Sequence, residues 1–179
     1  MIDRRGFLLY NSDNHYKKKG ARLVRFAYAG EEFKEDGPLE IAIIADDKKK
    51  ELMTQFCIAY CGILSKHHLC ATHITGKYIA DATGLEIDLL LPGELGGAEQ
   101  IVSRVAYNEI DMLLFFRDGN RMDEEYEADR SLLRECDANN IPVATNLATA
   151  EVLVLALDRG ELDWREIYNP RSEYNRRNK

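Results

Sequence analysis

From Leu39 onward the chain alternates short apolar runs with amphipathic stretches, and few folds accommodate that pattern. Ile41-Ala-Ile-Ile-Ala45 is continuously apolar, as a strand buried on both faces requires. Residues 48–64 follow with Leu52, Met53, Phe56, Cys57, Tyr60, Ile63 and Leu64 at helical spacing. Residues 69–72 read as a second strand, 76–83 as a short helix ended by Gly84, and 87–91 as a third strand. The pattern then predicts a helix over 94–108, a strand over 111–116 and a helix over 124–139. A short strand over 141–145 and a helix over 148–159, stopped by Gly160, complete it. The expected fold is therefore α/β, a three-layer sandwich with a five-stranded parallel sheet and right-handed crossovers. Ligands of such sheets bind beyond the carboxyl ends of the strands. Asp46-Asp47, Thr72-His73, Pro92-Gly93, Asp118-Gly119 and Thr145-Asn146 should all lie on that edge.

At 179 residues the chain has one domain's worth of sequence and can bury a sizeable core. Its net charge of -7 argues against general nucleic-acid binding, which needs a basic face. Lys17-Lys18-Lys19 and Arg176-Arg177 lie near the chain ends and read as solvated tails. No apolar run approaches the ~20 residues of a membrane span, and Gly6-Phe-Leu-Leu-Tyr10 is too short for a signal-peptide core. A cytoplasmic protein without membrane partners is expected. Cys57, Cys61, Cys70 and Cys136 show no close Cys-x2-Cys pair, so they read as reduced thiols packed as small hydrophobes. Residues 1–38 fall outside the alternation: 6–10 and 23–28 read as a two-stranded ribbon, or the whole as a loosely ordered extension. Residues 39–167 form the main domain, and 168–179 a polar tail.

Leu89-Leu-Leu-Pro-Gly-Glu-Leu-Gly-Gly-Ala98 carries the strongest functional signal. A strand ends in proline, and Gly93, Gly96 and Gly97 free the backbone just before a helix. Bare amides at such a turn, backed by a helix N-terminus, favour anions.

This loop resembles the active-site loop of methylglyoxal synthases. Ile41-Ala-Ile-Ile-Ala-Asp-Asp-Lys-Lys-Lys50, Ala71-Thr-His-Ile-Thr-Gly76, Phe115-Phe-Arg-Asp118 and Asn140-Ile-Pro-Val-Ala-Thr-Asn-Leu-Ala-Thr-Ala-Glu151 resemble the family as well, in order and without gaps. Leu157-Asp-Arg-Gly-Glu-Leu-Asp-Trp-Arg165 is similar to members with a longer C-terminus. The resemblance implies a methylglyoxal synthase-like fold, a homohexamer, and no cofactor or metal. It implies as ligand a small phosphorylated metabolite or inorganic phosphate. The family removes a proton beside the carbonyl of dihydroxyacetone phosphate and expels phosphate from the enediol, giving methylglyoxal. By resemblance Lys50, Thr72, Thr75 and Gly93 hold phosphate, while Asp47 and Asp118 keep their catalytic places; Gly76 is expected to open the next helix.

Other positions depart from the family. Its base aspartate aligns with Ala98, a histidine with Glu125, a further aspartate with Ala128, and a second histidine with Asp46. Ile74 stands for a threonine, Pro92 for a serine, and Glu94 for the proline of the loop. Two lost donors weaken the phosphate grip by ~1.5–3 kcal/mol each. A carboxylate ~4 Å from a phosphate charge costs about 4 kcal/mol at an effective dielectric of ~20. The first reading is thus a phosphate- or metabolite-binding homologue with the family reaction weak or lost. The second is an active synthase with Glu99 as replacement base; Asp129 could similarly stand in for Ala128. A third gathers Asp46, Asp47, Glu94, Asp118 and Glu125, with His73, around a divalent cation, although such carboxylates are ordinarily just solvated.

Overall fold

The computed structural model describes residues 38–120 and 126–162, with 126–128 in backbone alone. β1 (Glu40–Ala45) leads through a 3-10 turn (Asp47–Lys49) into α1 (Lys50–Ala59) and the short α2 (Cys61–Leu64). Then come β2 (His68–Thr72), α3 (His73–Thr83), β3 (Ile87–Leu90), a second 3-10 turn (Gly93–Leu95) and α4 (Gly97–Ala106). β4 (Met112–Phe116), α5 (Tyr126–Ala138), β5 (Val143–Ala144) and α6 (Leu147–Asp158) complete the order. The five strands form one parallel sheet, ordered β3-β2-β1-β4-β5.

Side chains alternate across this sheet and divide the core into two layers, as a pleat of period two demands. Ile41 and Ile43 pack with Met53, Phe56, Ile79 and Val154, from α1, α3 and α6. Ala42 and Ile44 pack on the opposite face with Ile101, Val105, Leu132 and Cys136, from α4 and α5. The three-layer α/β sandwich expected from the alternation is therefore present. All four cysteines are free thiols, and burial pushes those of Cys57 and Cys70 up to about 12.

Several boundaries differ from the sequence pattern for identifiable reasons. The first helix breaks at Tyr60 (φ −109°, ψ 19°), whose ring lies 4.8 Å from that of Phe56. β2 runs into α3 without a loop, so Gly76 sits inside that helix rather than opening it. A Cβ at Gly76 would lie 2.5 Å from Leu89 Cδ2 and 3.1 Å from the Ala71 Cβ, so glycine is there to let the helix approach the sheet. β5 shrinks to two residues because Pro142 has no N–H to donate, although its carbonyl still accepts from Leu113 at 3.0 Å. The ribbon expected at 6–10 and 23–28, the rest of the 1–37 stretch, Glu125 and the 168–179 tail lie outside the described residues.

At the amino end of the sheet, His67 Nδ1 accepts the Leu39 N–H at 3.2 Å. Burial, reinforced by Lys66 and His68, lowers its pKa to about 4. Its neutral form is thus the folded one. An unfolded chain takes up a proton near pH ~6.5 that the folded chain refuses until about pH 4. Stability contributed by His67 is full above that upper limit and declines as pH falls through the window. Denaturant midpoints measured across it should decrease, and His67→Gln should flatten the decrease.

Candidate active site

The sheet order reverses between β1 and β4, and the carboxyl ends of those two strands are tied together. The Asp46 N–H donates to the Phe116 carbonyl at 3.0 Å, and the Asp118 N–H donates to Asp46 Oδ2 at 2.7 Å. Asp118 is only 8% exposed. Its carboxylate accepts the Asn120 N–H at 3.1 Å and lies 3.2 Å from Lys48 Nζ. The Asn120 amide and the Lys48 ammonium hold the Asp118 carboxyl below the usual carboxylate range. This stabilisation is present above the unfolded carboxylate pKa of ~3.9 and is lost as pH falls through the depressed value. Lys48→Met should move the Asp118 titration upward, as read by carboxyl-carbon NMR.

α1 begins at Lys50, whose Nζ bonds Asp47 Oδ1. Lys50 is partly buried and Asp47 exposed, so the ammonium sits at the edge with its partner in water. Thr72 ends β2 and stands at the N-cap of α3, yet its hydroxyl caps no amide. It meets the Thr75 hydroxyl at 3.3 Å instead, and both residues are buried. The capping role those residue types usually have is thus absent. No side chain caps α1, α3 or α4 either, whereas α6 is capped by Asn146 Oδ1, which accepts the Thr149 N–H at 3.1 Å. Backbone carbonyls take the first amides of these helices instead: Lys50 donates to Asp47, His73 to Leu91 and Gly97 to Pro92.

The glycine loop closes on itself. The Leu95 and Gly97 amides both donate to the Pro92 carbonyl, at 2.9 and 3.0 Å, and the His73 amide reaches the Leu91 carbonyl at 3.3 Å. Gly93 is exposed. Gly97, Ile101 and Val105 form the buried stripe of α4, and Ala98 borders it, partly buried in the first turn. Glu99 is exposed. A Cβ on Gly96 would meet Glu99 Oε2 at 3.9 Å, so that carboxylate turns back over the start of its own helix. Asp129 lies on α5 and faces Arg117 at 3.8 Å.

Asp46, Asp118, Lys48, Lys50 and Asp47 are thereby placed at the ends of the two central strands, with Thr72, Thr75 and Gly93 at the neighbouring strand ends. In the sequence Asp46 reads as a carboxylate facing the ligand, and Lys48 does not stand out from its neighbours. One binds backbone and the other Asp118. The Lys48-Lys49-Lys50 run directly after a strand end was the available signal. Among the described residues, no three His, Cys, Asp or Glu side chains come together as a metal site needs, so the cation reading gains no support. No helix among them is long and apolar enough to cross a membrane. A cavity of about 880 Å³ does open, but at the opposite edge, beside Glu40, His67, Asp88 and Arg104. Its guanidinium is already engaged by Glu40 at 3.1 Å, Asp88 at 3.5 Å and Glu109 at 3.7 Å.

The family model of the MGS-like domain matches residues 55–145, which include the threonine pair, the glycine loop and Asp118. A methylglyoxal synthase of Caldicellulosiruptor saccharolyticus is 57% identical over 141 residues, covering 79% of this chain and the whole of that relative (100%). This chain belongs to the methylglyoxal synthase family. A methylglyoxal synthase of Thermoanaerobacter sp. is 50% identical over 129 residues, covering 72% of this chain and 98% of the relative. The crystal structure of methylglyoxal synthase from Elizabethkingia anophelis superposes with a TM-score of 0.60 at 33% identity, covering 65% of this chain and 77% of that one. Lys50, Thr72, Thr75, Gly93, Asp47 and Asp118 all lie along the carboxyl edge of the sheet. The chain carries a methyl group, Ala98, where the loop meets its helix.

Proposed function

We propose that this chain is a phosphate- or metabolite-binding member of the methylglyoxal synthase family whose synthase turnover is weak or lost. Ala98 carries the reading. Abstraction of a proton beside a carbonyl needs a positioned base, and a methyl group accepts no proton. Lys50 and the Thr72–Thr75 hydroxyl pair, at the ends of β1 and β2, are the donors this reading gives to an anion. Lys48 and Lys50 each already neutralise a carboxylate, Asp118 and Asp47. The Lys50 ammonium has three N–H groups and gives one to the exposed Asp47, so this reading assigns it the main charged contact to a phosphate dianion. The homo-oligomeric assembly of the family belongs to the same proposal and is read by sedimentation.

Isothermal titration of the full chain with inorganic phosphate tests the binding. Saturable binding is expected, and Lys50→Ala should weaken it by about ten- to a hundred-fold, as loss of a charged hydrogen bond does. Absence of saturation up to tens of millimolar phosphate would contradict the proposal.

A second reading has one observation in its favour, the Glu99 carboxylate turned back over Gly96. In that reading Glu99 serves as the base of an active synthase. One helical step rotates a side chain by ~100°, so Glu99 would have to reach around the helix start. Glu99→Gln decides it: the second reading requires loss of methylglyoxal formation with folding intact.

A further inference from the structure

We propose that the cavity at the amino edge of the sheet binds a small organic cation, an ammonium group on a short apolar body. The cavity measures about 880 Å³, within the ~300–1,000 Å³ usual for small-molecule sites. The starts of β1, β2 and β3 form it, together with the end of α3 and the last turn of α4. It lies at the opposite end of the sheet from the anion site, so either site can stand without the other.

Charge decides which ligand the cavity takes. One partly buried guanidinium, that of Arg104, meets three carboxylates: Glu40 at 3.1 Å, Asp88 at 3.5 Å and Glu109 at 3.7 Å. Only Glu40 lies at hydrogen-bond distance. Glu86 adds a further carboxylate to the lining. Lys66, the second cation of the described lining, is paired with Asp158 at 3.1 Å. His67 does not make up the difference, because burial keeps its ring neutral down to about pH 4 while Nδ1 accepts the Leu39 N–H. The carboxylates therefore outnumber the cations, and a cleft with one sign in surplus concentrates ligands of the other. A metal ion does not fit that surplus. It needs ~6–8 oxygen ligands gathered around it for calcium, and among the described residues no three His, Cys, Asp or Glu side chains come together. The walls supply the apolar part: Leu69 and Leu85 are buried, and Pro38 and Ile87 partly so. An ammonium beside Asp88 and Glu86 lays its alkyl chain on them.

Titration of the full chain with n-butylammonium, followed by amide NMR, tests this at pH ~8, where an ordinary imidazole is uncharged. Butyrate, of the same length and opposite charge, is the control. Saturable binding of butylammonium is expected, with shifts centred on Leu69, Leu85 and Arg104. Butyrate should bind at least about ten-fold more weakly. Ethylammonium should bind several-fold more weakly, because its chain covers less of the apolar wall. Asp88→Asn combined with Glu86→Gln should weaken butylammonium about three- to ten-fold, the modest effect of exposed charges. Both side chains are exposed, and an unchanged melting temperature shows that the variant folds. Butylammonium that fails to saturate by tens of millimolar, or that binds the double variant equally well, overturns the proposal. Shifts scattered over the acidic surface, or equal affinity for butyrate, overturn it too. Equal affinity for ethylammonium removes the apolar body from the ligand, and the proposal as stated fails.

Discussion

Ala98→Asp is expected to raise methylglyoxal formation from dihydroxyacetone phosphate by at least about ten-fold, toward the 10²–10⁴-fold that a positioned general base contributes. Ala98 is in the first turn of α4, at the border of its buried stripe, directly after the loop of Gly93, Gly96 and Gly97. A carboxylate there starts from a helix N-terminus that favours its charge and from a rigid backbone, since the Pro92 carbonyl accepts from both Leu95 and Gly97. Ile74 and Pro92 offer no hydroxyl to the phosphate, so recovery falls at the lower end. Adding Glu125→His, the histidine that the resemblance implies there, should take it further. Initial rates measured with the two variants and the unsubstituted chain read the effect. No increase in either variant, with unchanged melting temperature, shows that the missing base is not what limits this protein.

Gly97→Ala has the largest expected effect on stability. A Cβ at this position would lie 1.9 Å from the Leu91 carbonyl oxygen, 2.9 Å from its carbon and 3.1 Å from the Pro92 oxygen. All three are backbone atoms at a strand end and cannot swing aside as a side chain would. The loop must open, breaking the Gly97-to-Pro92 bond and lifting α4 off the second core layer. A loss of about 2–4 kcal/mol is expected, at the upper end for overpacking. Gly93→Ala is the matched control, because nothing lies within 4 Å of a Cβ there, and it should stay within ~0.5 kcal/mol. Urea midpoints at constant slope give both values. Equal midpoints for the two variants would mean that the loop is not packed as described.

The fold was largely legible because its determinants are local. Five apolar runs separated by helical periodicity leave little besides a parallel sheet with helices on both faces, and the strand ends then fall on one edge. Boundaries were less legible where tertiary contacts set them. Gly76 looks like a helix start in the sequence, and only the 2.5 Å approach to Leu89 shows that it is a contact point inside α3. Tyr60 carries no breaker signal, yet the helix ends at it.

At the candidate site, residue types and positions could be read from the motifs, but pairings could not. Asp46 and Asp118 are 72 residues apart, and nothing local to either announces that the carboxylate of one accepts the amide of the other. Lys48 likewise finds Asp118 across the switch in strand order. Thr72 has the sequence signature of a helix cap, but its hydroxyl turns to Thr75. Each of these depends on how β1, β2 and β4 are brought together.

Methylglyoxal release from dihydroxyacetone phosphate by the purified, unsubstituted chain, compared with its Glu99→Gln variant, tests the whole account most directly. A methyl side chain at the proton-accepting position predicts release barely above the buffer rate, equally low in the variant. Turnover near the ~10 s⁻¹ typical of enzymes, abolished by Glu99→Gln in a folded protein, would contradict it.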